Sequence, residues 1–348
     1  MGPASKGTLL NRRRCRQWLW LLLLGASIGA PPACAQTCQS AADMDTAVRS
    51  ALEATAKRYF DLSARGDTAA LQQNSIASVA ASFAGIEAAV KENQAAFSGA
   101  SATVRPPFLL IADGPEPLAR AEFLCGVFGK TGQTRDSAVF ILPDLPSGRY
   151  GITILDVNGG ENPKTLTLVL KQVGAEWKLA GFYAKSSQAS GHDAAWFTQR
   201  ARDFKSKGQN HNAWLYYREA IALAAPVDFM STLATDKLYD ETQATQPADV
   251  PVNGNTVEMN AADKTHPWTW TWTEIFPLVV GDDLDVVVKY QSGDVSNTGR
   301  AFQENTMLIQ ALVAKFPELR DAFAGVVARA VEPSGRDYGT LMTMKEIK

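Results

Sequence analysis

Between residues 108 and 184 the chain offers six short β-rich runs parted by Gly, Pro and Asn, and directly before them lies a long stretch of helical periodicity. This order constrains the fold more than any other feature. The runs cover 108–111, 121–128, 138–142, 151–157, 165–173 and 177–184, and Asn158-Gly159-Gly160 between two of them is a turn signal. Upstream, Val48, Leu52, Thr55, Tyr59 and Leu62 recur at spacings of three or four until Gly66-Asp67 ends the pattern. Ile76, Val79, Phe83, Ile86 and Val90 then resume the same period. Helices followed by a meander of strands predict an α+β domain over 43–186, with its helices on one face of an antiparallel sheet.

The first helix closes in Ala64-Arg65-Gly66-Asp67-Thr68-Ala69-Ala70-Leu71, and the last strand reads Glu176-Trp177-Lys178-Leu179-Ala180-Gly181-Phe182. On these residues the region resembles the nuclear transport factor 2-like superfamily, the cystatin-like cone. The resemblance implies a curved sheet that encloses a pocket with its helices. That superfamily holds small isomerases and dehydratases beside many non-catalytic binding and assembly modules. Alternate strand residues would line such a pocket, and Tyr150, Tyr183, Asp156, Glu122 and Arg120 are its polar candidates. Pro106-Pro107, Pro143 and Pro146 depart from the plain pattern.

A polar link, 187–193, leads into a helical pair that is assigned with it to 187–239. Counted from Ala194, residues Phe197, Ala201, Phe204, Gly208, Ala213, Tyr217 and Ala220 fall at positions 4, 8, 11, 15, 20, 24 and 27 of a 34-residue unit. The pair therefore resembles one tetratricopeptide repeat, with Arg200 in place of the usual Leu and the closing proline one place late at Pro226. A lone repeat cannot bury both its faces, so this hairpin must pack on another part of the chain.

A polar linker, 240–254, contains Pro247 and Pro251 and precedes a last region, 255–348, that predicts a second small α+β domain. Strand-like runs at 256–259, 268–280 and 284–290 come before an amphipathic helix at 300–315, and 323–331 with 338–344 close the region. Trp268, Trp270 and Trp272 alternate with threonines, so their indoles share one strand face. Burial as a core is the expectation. An exposed platform for a sugar or an extended peptide is the alternative, and it makes the three tryptophans candidate binding residues together with Tyr150 and Tyr183. Asp282-Asp283-Leu284-Asp285 follows Gly281 without the spaced oxygen ligands of a calcium loop, and reads as a solvated hairpin turn.

At the start of the chain Lys6, Arg12, Arg13, Arg14 and Arg16 lead into the apolar stretch from Trp18 to Ala30, then Pro31-Pro32 and the small-x-small triplet Ala33-Cys34-Ala35. This predicts a cleaved secretory signal over 1–35 and a periplasmic or secreted protein. The stretch is shorter than the roughly 20 residues of a membrane span, so no integral span is expected after cleavage. Lipoprotein cleavage before Cys34 is the other route. Cys38 and Cys125 then survive as a pair in an oxidising compartment, which predicts a disulfide; the alternative is a buried free thiol at Cys125.

The signal segment holds five of the 34 basic residues and none of the 36 acidic ones, so the remainder has 29 basic against 36 acidic side chains. Such a balance argues against nucleic acid as a partner. His192, His211 and His266 show no paired metal-ligand spacing, and the chain has no nucleophile elbow, phosphate-cradling loop or dinucleotide fingerprint. No metal and no cofactor are expected. These features predict a non-enzymatic envelope protein, a binding or scaffold module for a protein partner in the cell envelope or for a small ligand. The alternative is a small-molecule isomerase, dehydratase or hydrolase acting in the cone pocket.

Overall fold

The computed structural model describes residues 36–126, 132–160, 162–262 and 267–348. The signal segment, the end of the run 121–128, His266 and the side chain of Trp268 lie outside the described residues. The chain begins with strand β1 (Gln36–Gln39) and the helices α1 (Thr46–Ala64), α2 (Thr68–Gln73), α3 (Ala77–Ala81), α4 (Ala84–Glu92) and α5 (Gln94–Phe97). Asp45 caps α1 by accepting from the N–H groups of Ala47 and Val48. Gly66 ends it at φ +69°, a backbone state that a Cβ disfavours.

Strands β2 (Ser101–Val104), β3 (Phe108–Ala112), β4 (Leu118–Cys125), β5 (Ala138–Leu145), β6 (Gly148–Asn158), β7 (Lys164–Val173) and β8 (Glu176–Ser186) follow. They overlap the six β-rich runs. They do not, however, form one meander. β1, β3, β6, β7 and β8 pair in that order, with β2 beside β3 along β6, and every pairing is antiparallel. β4 and β5 leave this sheet and join β11 (Met230–Thr232) in a second, three-stranded one.

Strand alternation divides the large sheet between two cores. Leu155, Val157, Leu166 and Leu168 meet Leu52, Tyr59, Phe60 and Phe97 of the helices. Tyr150, Ile152 and Ile154 point the other way, onto Phe123, Cys125 and Phe140 of the small sheet. The region is α+β in three layers: helices, large sheet, small sheet. Helix α1 lies so close to β6 that a Cβ on Gly151 would stand 2.2 Å from Leu52 Cδ2. Cys38 of β1 and Cys125 of β4 form a disulfide across 87 residues, their Cα atoms 5.0 Å apart. Loop-closure entropy assigns such a link about 4.6 kcal/mol at most.

Short strands β9 (Gln188–Ala189) and β10 (His192–Asp193) lead into the hairpin of α6 (Ala194–Ser206) and α7 (Asn210–Ala224). After β11 comes α8 (Leu233–Gln243), which runs into the stretch read as linker. The last sheet orders β12 (Val257–Ala262), β13 (Pro267–Val280), β14 (Asp283–Gln291), β15 (Gly325–Val331) and β16 (Asp337–Thr343). Its pairings are antiparallel except β14 with β15, which are parallel and joined through α9 (Thr298–Lys315).

The hairpin finds its partner here. Phe197, Phe204, Trp214 and Tyr217 share one hydrophobic core with Trp270, Trp272, Tyr290, Leu308 and Leu312. That core runs through the boundaries at 239 and 255 expected from the sequence. Among the described residues no helix is long and apolar enough to cross a membrane.

Two glycine substitutions test the packing. Gly151→Ala forces Leu52 out of its place between α1 and β6 and is expected to destabilise by about 1–3 kcal/mol. Gly85→Ala, in α4 with open space around its Cα, is expected to raise stability by about 0.5 kcal/mol. Thermal and denaturant unfolding of the two variants should move in opposite directions.

Candidate functional site

Strand β12 pairs with β13 only as far as Trp272, so beyond that point one edge of β13 has no strand beside it among the described residues. The register with β14 also shifts between Trp272 and Glu274, a bulge at Thr273. Arg218, reaching across from α7, donates through Nη1 to the Ile275 carbonyl. Pro277, two residues on, offers that edge no N–H, which discourages further strand pairing.

Arg218 lies over the Trp214 ring, 4.7 Å from its centroid. Burial holds its pKa below the ordinary arginine value, against the pull of Glu274 and Glu219. Neither carboxylate pairs with it, and Glu274 is engaged by Lys289 at 2.9 Å. The other N–H groups of Arg218 have no hydrogen-bond partner among the described residues. Arg218 lines a groove of about 310 Å³ between α7, α8 and β13. Tyr239, Gln243, Gln246 and Asn253 stand around it. The three side-chain amides are likewise without hydrogen-bond partners among the described residues. Asn253 and Gly254 take φ +53° and +79°, and this left-handed turn folds the former linker into a wall of the groove.

The wall is anchored close by. The His211 ring lies between Asp249, 2.9 Å from Nε2, and Glu318, 2.8 Å from Nδ1, with Lys315 3.7 Å from Asp249. Burial would raise the Asp249 pKa, but the hydrogen bond and charge of His211, with the charge of Lys315, keep it below the usual value. One turn along α7, the Tyr216 hydroxyl donates to the Ala322 carbonyl at 2.6 Å, and burial pushes its pKa up to about 12.

The residues singled out in the sequence lie elsewhere. Trp270 and Trp272 are buried, at 3% and 0% exposure, so neither belongs to an exposed platform. Both face the core shared with the hairpin. Tyr150 is buried on the sheet face turned away from the helices, where its hydroxyl donates to the Pro146 carbonyl at 2.7 Å. Tyr183 is exposed and packs edge-on against Phe229. Asp156 accepts from Nε and Nη2 of Arg105, and Arg120 and Glu122 project from the outer face of the small sheet. These five residues are not brought together: Tyr150 and Asp156 lie on the even-numbered side of β6, away from the helices, Tyr183 is exposed on β8, and Arg120 and Glu122 belong to the small sheet. Sequence reasoning missed Arg218, Gln243 and Gln246. Only the Asn253-Gly254 turn dipeptide carried a local signal.

The acidic run does form the β13–β14 turn, with Gly281 at φ +63°. Asp285 nevertheless is buried, at 3% exposure, in the room left by the missing side chain of Gly325. No family model, no curated protein and no solved structure matches this chain.

Burial first, and Asp283 second, raise the Asp285 pKa, while the Gly325 N–H works against them. A carboxyl whose folded pKa is raised supports the fold fully below its unfolded pKa, about 4, and that support is lost as pH rises through the folded value. Asp285→Asn keeps the acceptor and loses the charge. It is expected to raise the melting temperature at pH 7 and to leave it nearly unchanged at pH 3.5, as followed by circular dichroism.

Proposed function

We propose that the protein is exported to the periplasm or beyond and works there as a non-enzymatic binding module, taking a short peptide segment of an envelope protein into the groove beside Arg218. One observation carries this reading: a half-buried guanidinium that stacks on Trp214, lines the groove and has neither an ion-pair partner nor, beyond the Ile275 carbonyl, a hydrogen-bond partner among the described residues. A partly buried cation of this kind, with few water contacts left, gains from a ligand oxygen that replaces them.

Peptide chemistry suits the surroundings. The side-chain amides of Gln243, Gln246 and Asn253 each donate and accept, as a peptide bond does, and Arg218 already holds one main-chain carbonyl of β13. Ile221 and Val252 supply apolar contact between these polar groups. The basic and apolar start of the chain supports export, as does the Cys38–Cys125 disulfide, since such bonds persist in oxidising compartments.

The test sets an array of extended peptides beside a glycan array. Peptide capture is expected, with Gln243→Ala/Gln246→Ala weakening it about tenfold, the worth of two modest hydrogen bonds. The melting temperature should hold, because the variant removes groups that lack partners in the fold. Arg218→Lys keeps the charge but not the planar fork, and should also weaken capture. Glycan capture in place of peptides, or peptide capture indifferent to these changes, would contradict the reading.

A further inference from the structure

A second cleft, of about 580 Å³, opens on the other region of the chain, between the start of α1, the β2–β3 connection and the segment before β5. Its floor is apolar and built from Phe108, Ile154 and Met230. Its rim is charged. Arg105 stands at one side but is committed to Asp156, through contacts of 2.6 and 3.0 Å from Nη2 and Nε. Four other charges remain. Arg49 and Glu53 on α1 approach only to 3.9 Å, and Arg135 and Asp136 have no ion-pair partner among the described residues. Two cations and two anions thus surround one apolar floor.

The disulfide frames this cleft. Cys38 lies just before Ser40, Ala41 and Ala42, which form one wall. Cys125 is in register with Ala138, and Arg135, Asp136 and Ser137 immediately before it form a second wall. The second wall is knit further by Ser137, whose Oγ donates to the Gly126 carbonyl and accepts from the Thr134 N–H at 2.7 Å. One covalent bond holds the two walls together.

We propose that this cleft binds a zwitterionic small molecule with an apolar body, of the class of free amino acids with apolar side chains. The ligand carboxylate meets Arg135 and Arg49, its ammonium meets Asp136 and Glu53, and its side chain covers the apolar floor. A ligand of one charge sign leaves half the rim facing a like charge, and an uncharged apolar ligand desolvates the rim without replacing its water contacts. The site is separate from the groove beside Arg218 and does not depend on a peptide binding there.

Titration calorimetry on the oxidised full-length chain after export processing, with leucine and phenylalanine as probes, tests this directly. Saturable binding is expected, with N-acetyl-leucine and leucinamide each at least tenfold weaker than leucine. Arg135→Ala and Asp136→Ala, both in an exposed segment, should each weaken leucine at least tenfold without moving the ligand-free melting temperature. N-acetyl-leucine binding as well as leucine would reveal a plain anion site and overturn the proposal. Leucine binding unchanged in both variants, or absent at millimolar concentration, would overturn it equally.

Discussion

The contact on which the rest of this structure depends is the face that α7 presents to the last sheet. A two-helix unit has two apolar faces and one partner helix, so half of its hydrophobic surface needs cover from elsewhere. Here the cover is β13 with its tryptophans and the core beneath α9, and Trp214, Tyr217, Trp272 and Leu312 become parts of one interior. The polar groups follow from that placement. Asn212 donates to the Glu318 carbonyl, Tyr216 to that of Ala322 and Arg218 to that of Ile275. Successive turns of one helix are thereby fastened to two different parts of the last region. Arg218 is half-buried for the same reason, and the groove is the space left where β12 stops and β13 continues.

Much of the architecture was legible because it rests on local pattern. Periods of three to four and of two marked α1, β6, β7, β8, α9 and the hairpin within a few residues of their observed ends, and the tryptophan alternation placed Trp270 and Trp272 on one face. What pattern cannot express is which strand pairs with which. β4 and β5 alternate as well as β6 and β7 do, yet they form a sheet of their own with β11, a strand of three residues. That choice covers the Tyr150 face of β6 with the small sheet and leaves Arg120 and Glu122 out in solvent. How closely α1 lies on the sheet is likewise beyond local pattern. It rests on Gly151, whose missing side chain lets Leu52 press onto β6.

Both clefts lie at seams between segments far apart in the chain. The groove gathers Arg218, Gln246, Asn253 and Ile275, and the bipolar cleft gathers Arg49, Phe108, Arg135 and Met230. No short motif can encode such sets, since each residue is an ordinary helix, turn or strand residue in its own neighbourhood. The disulfide is the exception. Its two cysteines could be paired from compartment and count alone, and the pair proves to span a seam.

The central claim is that the hairpin and the last sheet are one cooperative unit, with the groove at their joint. Native-state hydrogen exchange measures this most directly, by comparing the opening free energies and denaturant slopes of amides in α7 with those in β13, β14 and β15. A single shared opening, with equal free energy and slope for both sets of amides, is the result the account predicts. Exchange of α7 through a separate opening of lower free energy and smaller slope, while the sheet stays protected, would contradict it.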